Sequence, residues 1–106
     1  MEKQNVISAF SALAHETRLD IYRLLVEAGP EGVAAGEVAT ALGVPSATMS
    51  FHLKELKSAM LLSCRREGRS LIYSPNFTMM DDLTQYLTEN CCGGTQTCEP
   101  GFEDPY

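Results

Sequence analysis

The sequence predicts a mainly α-helical chain with one small β-hairpin. Three observations carry that expectation. Apolar residues recur at steps of three and four through most of the chain, β-like residues gather in one stretch from Leu62 to Ser74, and the connections are short and marked by glycine and proline. At 106 residues, 44% hydrophobic and 21% charged, the chain has the size and balance of one domain. Such a chain should bury roughly 65% of its unfolded surface, which is thin for a lone monomer with spare apolar faces, so pairing with a second copy is expected. No apolar run approaches the roughly 20 residues of a membrane span. The first five residues also lack the layout of a signal peptide, so a cytoplasmic chain with no membrane partner is expected.

The first helix starts near Val6, where Val6, Phe10 and Leu13 fall at helical spacing with Ile7 and Ala9 beside them. From Ala14 to Ala28 the polar residues Glu16, Asp20, Arg23 and Glu27 form one stripe in an otherwise apolar segment, which predicts a buried central helix. Gly29, Pro30 and Gly32 end it. A short helix over Ala35 to Leu42 stops at Gly43, and a longer one begins at Ser46, a favoured cap residue, and runs to about Met60. Joined through Gly43-Val44-Pro45, these two helices form a helix-turn-helix, with Met49, Leu53, Leu56 and Met60 facing inward. The hairpin turns at Glu67-Gly68-Arg69-Ser70 and returns through Leu71-Ile72-Tyr73, carrying Arg65, Arg66 and Arg69 on one short ribbon. A last helix carries Met79, Met80, Leu83, Tyr86 and Leu87 and ends near Asn90. The domain is therefore expected over residues 1–90, with an acidic, cysteine-containing tail over 91–106.

Charge is divided between these parts. The net charge of −6 argues against a nucleic-acid partner until the charges are placed. Through Ser70 eight acids balance eight bases, and after it come six acids with no Lys or Arg. Between Ser46 and Arg69 five bases face two acids, so a basic surface sits on an acidic chain and can draw phosphates to itself. The outer face of the second helix of the pair carries Ala47, Thr48, Ser50, Phe51, His52, Lys54 and Lys57. Small, hydroxylated and basic side chains of this kind fit a major groove. Together with Ser46 and the three wing arginines they are the candidate DNA-binding residues.

The order helix, buried helix, helix-turn-helix, β-wing, last helix is a winged helix-turn-helix. Its local sequence resembles the ArsR/SmtB family. The matching residues are Phe10 with Ala12-Leu13-Ala14, Thr17-Arg18-Leu19, Ile21, Leu24-Leu25, Ser50 with His52-Leu53-Lys54, Leu56, Arg66-Glu67-Gly68-Arg69 and Tyr73, covering about residues 6 to 90. Met60 departs from the pattern, standing where the family usually has a glycine, and so does Pro45 before the second helix. The resemblance implies a homodimeric repressor, not an enzyme, that pairs through its first and last helices and leaves a palindromic double-stranded operator when an inducer binds. Ile7, Phe10, Leu83 and Leu87 are the candidate dimer residues.

An inducer site has to be built from the ligands present. His15 and His52 are the two histidines, too few for a His-rich zinc or nickel site on the last helix, and the short helix before the turn has no cysteine. Cys64 lies on a wing strand and fits a small, buried apolar side chain. Cys91, Cys92 and Cys98 remain, with Gly93-Gly94 between them to let the chain reverse. Three soft sulfur donors without histidine suit trivalent arsenic, with antimonite as a variant, and a closely spaced cysteine trio after the last helix resembles that of arsenite-responsive members of the family. A thiol-redox switch through Cys98 and either neighbour is the second reading, since adjacent cysteines bridge only with strain. A soft divalent metal sensor is a third. A thiol enzyme or metal carrier is the most distant, because the chain has no Cys-x-x-Cys and no glycine-rich phosphate loop.

Overall fold

The computed structural model describes residues 1–94. Helix α1 spans Lys3–Leu13 and α2 spans Glu16–Ala28. After a two-residue strand β1 (Val33–Ala34) come α3 (Ala35–Leu42) and α4 (Ser46–Ser58). The hairpin β2 (Leu62–Glu67) and β3 (Ser70–Pro75) leads to α5 (Phe77–Thr88) and a 3-10 turn at Cys91–Gly94. The three strands form one antiparallel sheet in the order β1-β3-β2. No helix of the described residues is long and apolar enough to cross a membrane. The fold class is the expected one, mainly helical with a small hairpin, arranged as a winged helix-turn-helix.

One core sits where the helices meet the base of the wing. Ile21 and Leu25 of α2, Val38 of α3, Met49, Leu53 and Leu56 of α4, Leu61 before β2 and Leu83 of α5 are its largest fully buried side chains. Burying a side chain of this type is worth about 1.5–3 kcal/mol, so these eight dominate the apolar contribution. The turn between α3 and α4 forms because Gly43 adopts φ 66°, a left-handed value that closes α3, and Val44 then donates its N–H back to the Ala39 carbonyl.

Several expectations are corrected at the element ends. α2 begins at Glu16 rather than Ala14, because His15 is extended and its ring accepts the N–H of Thr17, capping the helix. It is also not buried all round: Leu19 and Val26 are exposed. Ser46 is the first residue of α4 and not its cap, a place held by the extended Pro45. α4 ends at Ser58, two residues before Met60, which takes φ 67° and lies exposed outside the core. Leu83 is buried in the monomer core, so it cannot serve as a dimer residue.

Two local devices lock the wing to the helices. Gly32, at φ 81°, lets the chain pass so close to β3 that a Cβ there would stand 2.7 Å from the Tyr73 carbonyl oxygen. That close approach permits the pairing of Val33 with Tyr73. On the other side Asn76 makes four hydrogen bonds. Its N–H donates to Leu61 O, its Nδ2 donates to Met60 O, its Oδ1 accepts the N–H of Met79 as the cap of α5, and its carbonyl accepts the N–H of Met80.

Candidate nucleic-acid interface

A helix that packs one face on a core must leave the opposite face to solvent, and α4 divides sharply. Met49, His52, Leu53 and Leu56 are buried, while Ser46, Ala47, Thr48, Ser50, Phe51, Lys54 and Lys57 are exposed. Seven of the eight candidate DNA-binding residues of this helix therefore lie on its exposed face. His52 does not: it is 7% exposed and faces α2.

His52 belongs to a cluster that bridges α2 and α4. Arg18 donates its Nε–H to His52 Nδ1 over 3.2 Å and holds its guanidinium carbon 5.6 Å from the centre of the Phe51 ring. The latter is within the range of a cation–π contact. The His15 and His52 rings lie 4.9 Å apart, and the Phe51 and His52 rings 5.8 Å apart. Because both Nδ1 atoms accept hydrogen bonds, each neutral ring carries its proton on Nε2. Burial lowers the His52 pKa below its ordinary value, and the neighbouring His15 and Arg18 charges lower it further.

Arg18 and His15 were not among the sequence candidates, although a signal was present. Arg18 falls about 200° around the helix from Glu16, on the face opposite the polar stripe. A cation on an apolar face needs a partner, and His52 supplies one.

The wing separates its three arginines. Arg65 donates from Nε to Glu67 Oε2 over 2.7 Å and from Nη2 to the Glu31 carbonyl, also over 2.7 Å. It ties β2 to the α2–β1 loop. Arg65–Glu67 is the one ion pair among the described residues. Arg66 and Arg69 are exposed at the tip, and with Lys54 and Lys57 they form the unpaired basic charge of this side of the molecule among the described residues.

The other candidates fall into two places. Ile7 and Phe10 on α1 and Leu87 on α5 are exposed apolar residues, and so is Phe77, which sequence spacing missed because it opens α5. Cys91 is half-buried and, with the backbone of Cys92, lies in the turn after α5. Cys98 lies outside the described residues. Among those described, no three His, Cys, Asp or Glu side chains form a group that could hold a metal ion. Cys64 is half-buried opposite Tyr73, whose phenol is pushed up by burial and by that thiol.

Comparison with known proteins agrees with this geometry. A helix-turn-helix domain family matches residues 13–65, from the end of α1 into the wing. The transcriptional repressor SdpR of Bacillus subtilis is 31% identical over 80 residues, covering 76% of this chain and 86% of that protein. A helix-turn-helix transcriptional regulator of Methanocaldococcus jannaschii is 28% identical over 90 residues, and the chain spans only 22% of its length. A homodimeric winged helix-turn-helix DNA-binding domain from Mycobacterium bovis, named as a possible ArsR-family transcriptional regulator, is 32% identical with a TM-score of 0.66. That match covers 82% of this chain and 81% of that domain. With the matched domain, the winged fold and the exposed face of α4 all in place, the chain belongs to the ArsR family of helix-turn-helix, DNA-binding transcriptional regulators.

Proposed function

We propose that the chain is a repressor that binds a palindromic operator as a homodimer and is released when trivalent arsenic binds Cys91, Cys92 and Cys98. The observation that carries the operator reading is the exposed face of α4, free of core contacts, together with Arg66 and Arg69, which are exposed and in no ion pair among the described residues. Ser46, Ala47, Thr48, Ser50 and Phe51 face base edges in this reading, and Lys54, Lys57, Arg66 and Arg69 face phosphates. The exposed Ile7, Phe10 and Leu87 support pairing through α1 and α5, which would set the spacing of two α4 helices along the duplex.

The inducer reading rests on donor chemistry and placement. Three thiols without histidine suit a thiophilic trivalent centre, with antimonite as the close analogue. Two of the three cysteines sit in the turn that follows α5 directly. Binding there would bias the dimer through α5, and by linkage DNA and inducer would weaken each other equally.

The test is fluorescence anisotropy of a labelled duplex from upstream of the protein's own gene. Reduced protein is added first, then arsenite, with zinc and diamide as controls. Release by arsenite that is lost in Cys92→Ser supports the reading. Release by diamide alone would replace it with a thiol-redox switch.

A further inference from the structure

A recognition helix can discriminate bases only with the side chains it exposes, and those of α4 form an unusual set. Bidentate reading of guanine calls for Arg or Lys, and of adenine for Asn or Gln. From Ser46 through Lys54 the exposed residues are Ser46, Ala47, Thr48, Ser50, Phe51 and Lys54, with no Arg, Asn or Gln among them and one Lys, which the operator reading assigns to a phosphate. The largest is an aromatic ring that is 55% exposed. A phenylalanine this open on a face otherwise made of small residues and lysine lacks a partner within the described monomer for most of its surface.

That ring is also held in place. Arg18 lies 5.6 Å from its centre on one side, and the His52 ring lies 5.8 Å away. Arg18 is itself fixed by its bond to His52 Nδ1. A ring fixed at its base and open toward solvent is preorganised for an apolar contact, and ordering it on binding costs little rotamer freedom. The apolar group that the major groove presents is the C5-methyl of thymine.

We propose that Phe51 reads a thymine methyl group in each half-site, with Ala47 available for a second methyl, and that this contact rather than a bidentate purine contact supplies the main direct base discrimination of α4. The inference rests on the operator reading above and names what that surface selects. Arg18 acts as a positioning residue for the ring.

The experiment uses the full chain and duplexes selected by it from a randomised pool. Each thymine of a selected half-site is replaced singly by deoxyuridine, which deletes only the methyl. One thymine per half-site should show a loss of about fourfold in affinity, as expected for one buried methyl. Phe51→Ala should bind more weakly and become indifferent to that replacement, while Phe51→Leu keeps part of the sensitivity. Arg18→Lys should reduce the thymine preference without abolishing binding. Selected duplexes that bind equally well with uracil at every position would overturn the proposal and leave the operator reading standing. Failure to select any duplex would overturn both.

Discussion

Arg18 Nε and His52 Nδ1 lie 3.2 Å apart, a bond that exists only while the imidazole is neutral, because a protonated ring has no acceptor left. The His52 pKa is lowered in the folded chain, so the unfolded chain takes up this proton first as pH falls. The stabilisation is complete above the ordinary value of 6.5 and is lost as pH falls through the lower folded value. Urea unfolding at pH 7.5 and pH 5 should show a larger loss of stability on acidification for the native chain than for His52→Asn, whose side-chain oxygen still accepts from Arg18. An equal loss in both would show that this bond carries no pH dependence.

The division of labour on the wing predicts unequal mutants. Arg66→Glu and Arg69→Glu should each weaken duplex binding at low salt and flatten its salt dependence, with the slope falling by about 0.9 for each phosphate no longer neutralised. Arg65→Ala should instead lower thermal stability, because Arg65 holds Glu67 and the Glu31 carbonyl, and should leave the salt slope nearly intact. A salt slope that changes most in Arg65→Ala would reverse the assignment.

Leu83 and Leu87 lie one turn apart on α5, yet only the second reaches solvent. Leu87→Asp should therefore shift a sedimentation profile toward monomer with the helical signal unchanged. Leu83→Ala should cost about 2–5 kcal/mol of folding stability, as large-to-small changes in a packed core do. A monomeric native chain at micromolar concentration would remove the α1–α5 pairing.

The Tyr22 hydroxyl is buried without a hydrogen-bond partner among the described residues, and burial pushes its pKa up. Leaving such a group unsatisfied costs about 1–3 kcal/mol, so Tyr22→Phe should unfold at the same denaturant concentration or a higher one. A clear loss of stability would mean that the hydroxyl has a partner, contributed by a second copy or by the tail.

Gly32 and Gly29 both have positive φ, but only Gly32 is crowded. Gly32→Ala would bring a Cβ within 2.7 Å of Tyr73 O and 2.8 Å of Ile72 Cγ2, whereas at Gly29 nothing lies within 4 Å. Thermal melts should place Gly32→Ala well below Gly29→Ala, with the difference of about 2 kcal/mol or more expected of overpacking.

The periodic elements were legible in the sequence because each obeys a local rule. Gly43 ends α3, the apolar steps from Met49 to Leu56 turn α4 inward, and Glu67-Gly68-Arg69-Ser70 closes the hairpin. What escaped depends on partners distant in the chain. β1 has two residues and exists only because β3 offers an edge beside Gly32. His52 sits three residues after Met49 and four before Leu56, inside the apolar arc, but its polar identity points outward unless Arg18 is known to be its partner. Met60 also falls on that arc, and fails to be buried because the helix has already ended. Of the tail, the sequence supplies chemistry alone. Three cysteines name a class of ligand.

Asn76 has a mechanical consequence. A single side chain caps α5 while gripping Met60, and its own N–H grips Leu61, so the exit of α4, the root of the wing and the start of α5 are fastened at one rivet. Torque applied to α5 cannot be absorbed by a slack linker. It must either turn α4 and the wing together as one rigid head or shear hydrogen bonds at Asn76, which in the proposed dimer gives whatever pulls on the far end of α5 a direct grip on the spacing of two such heads.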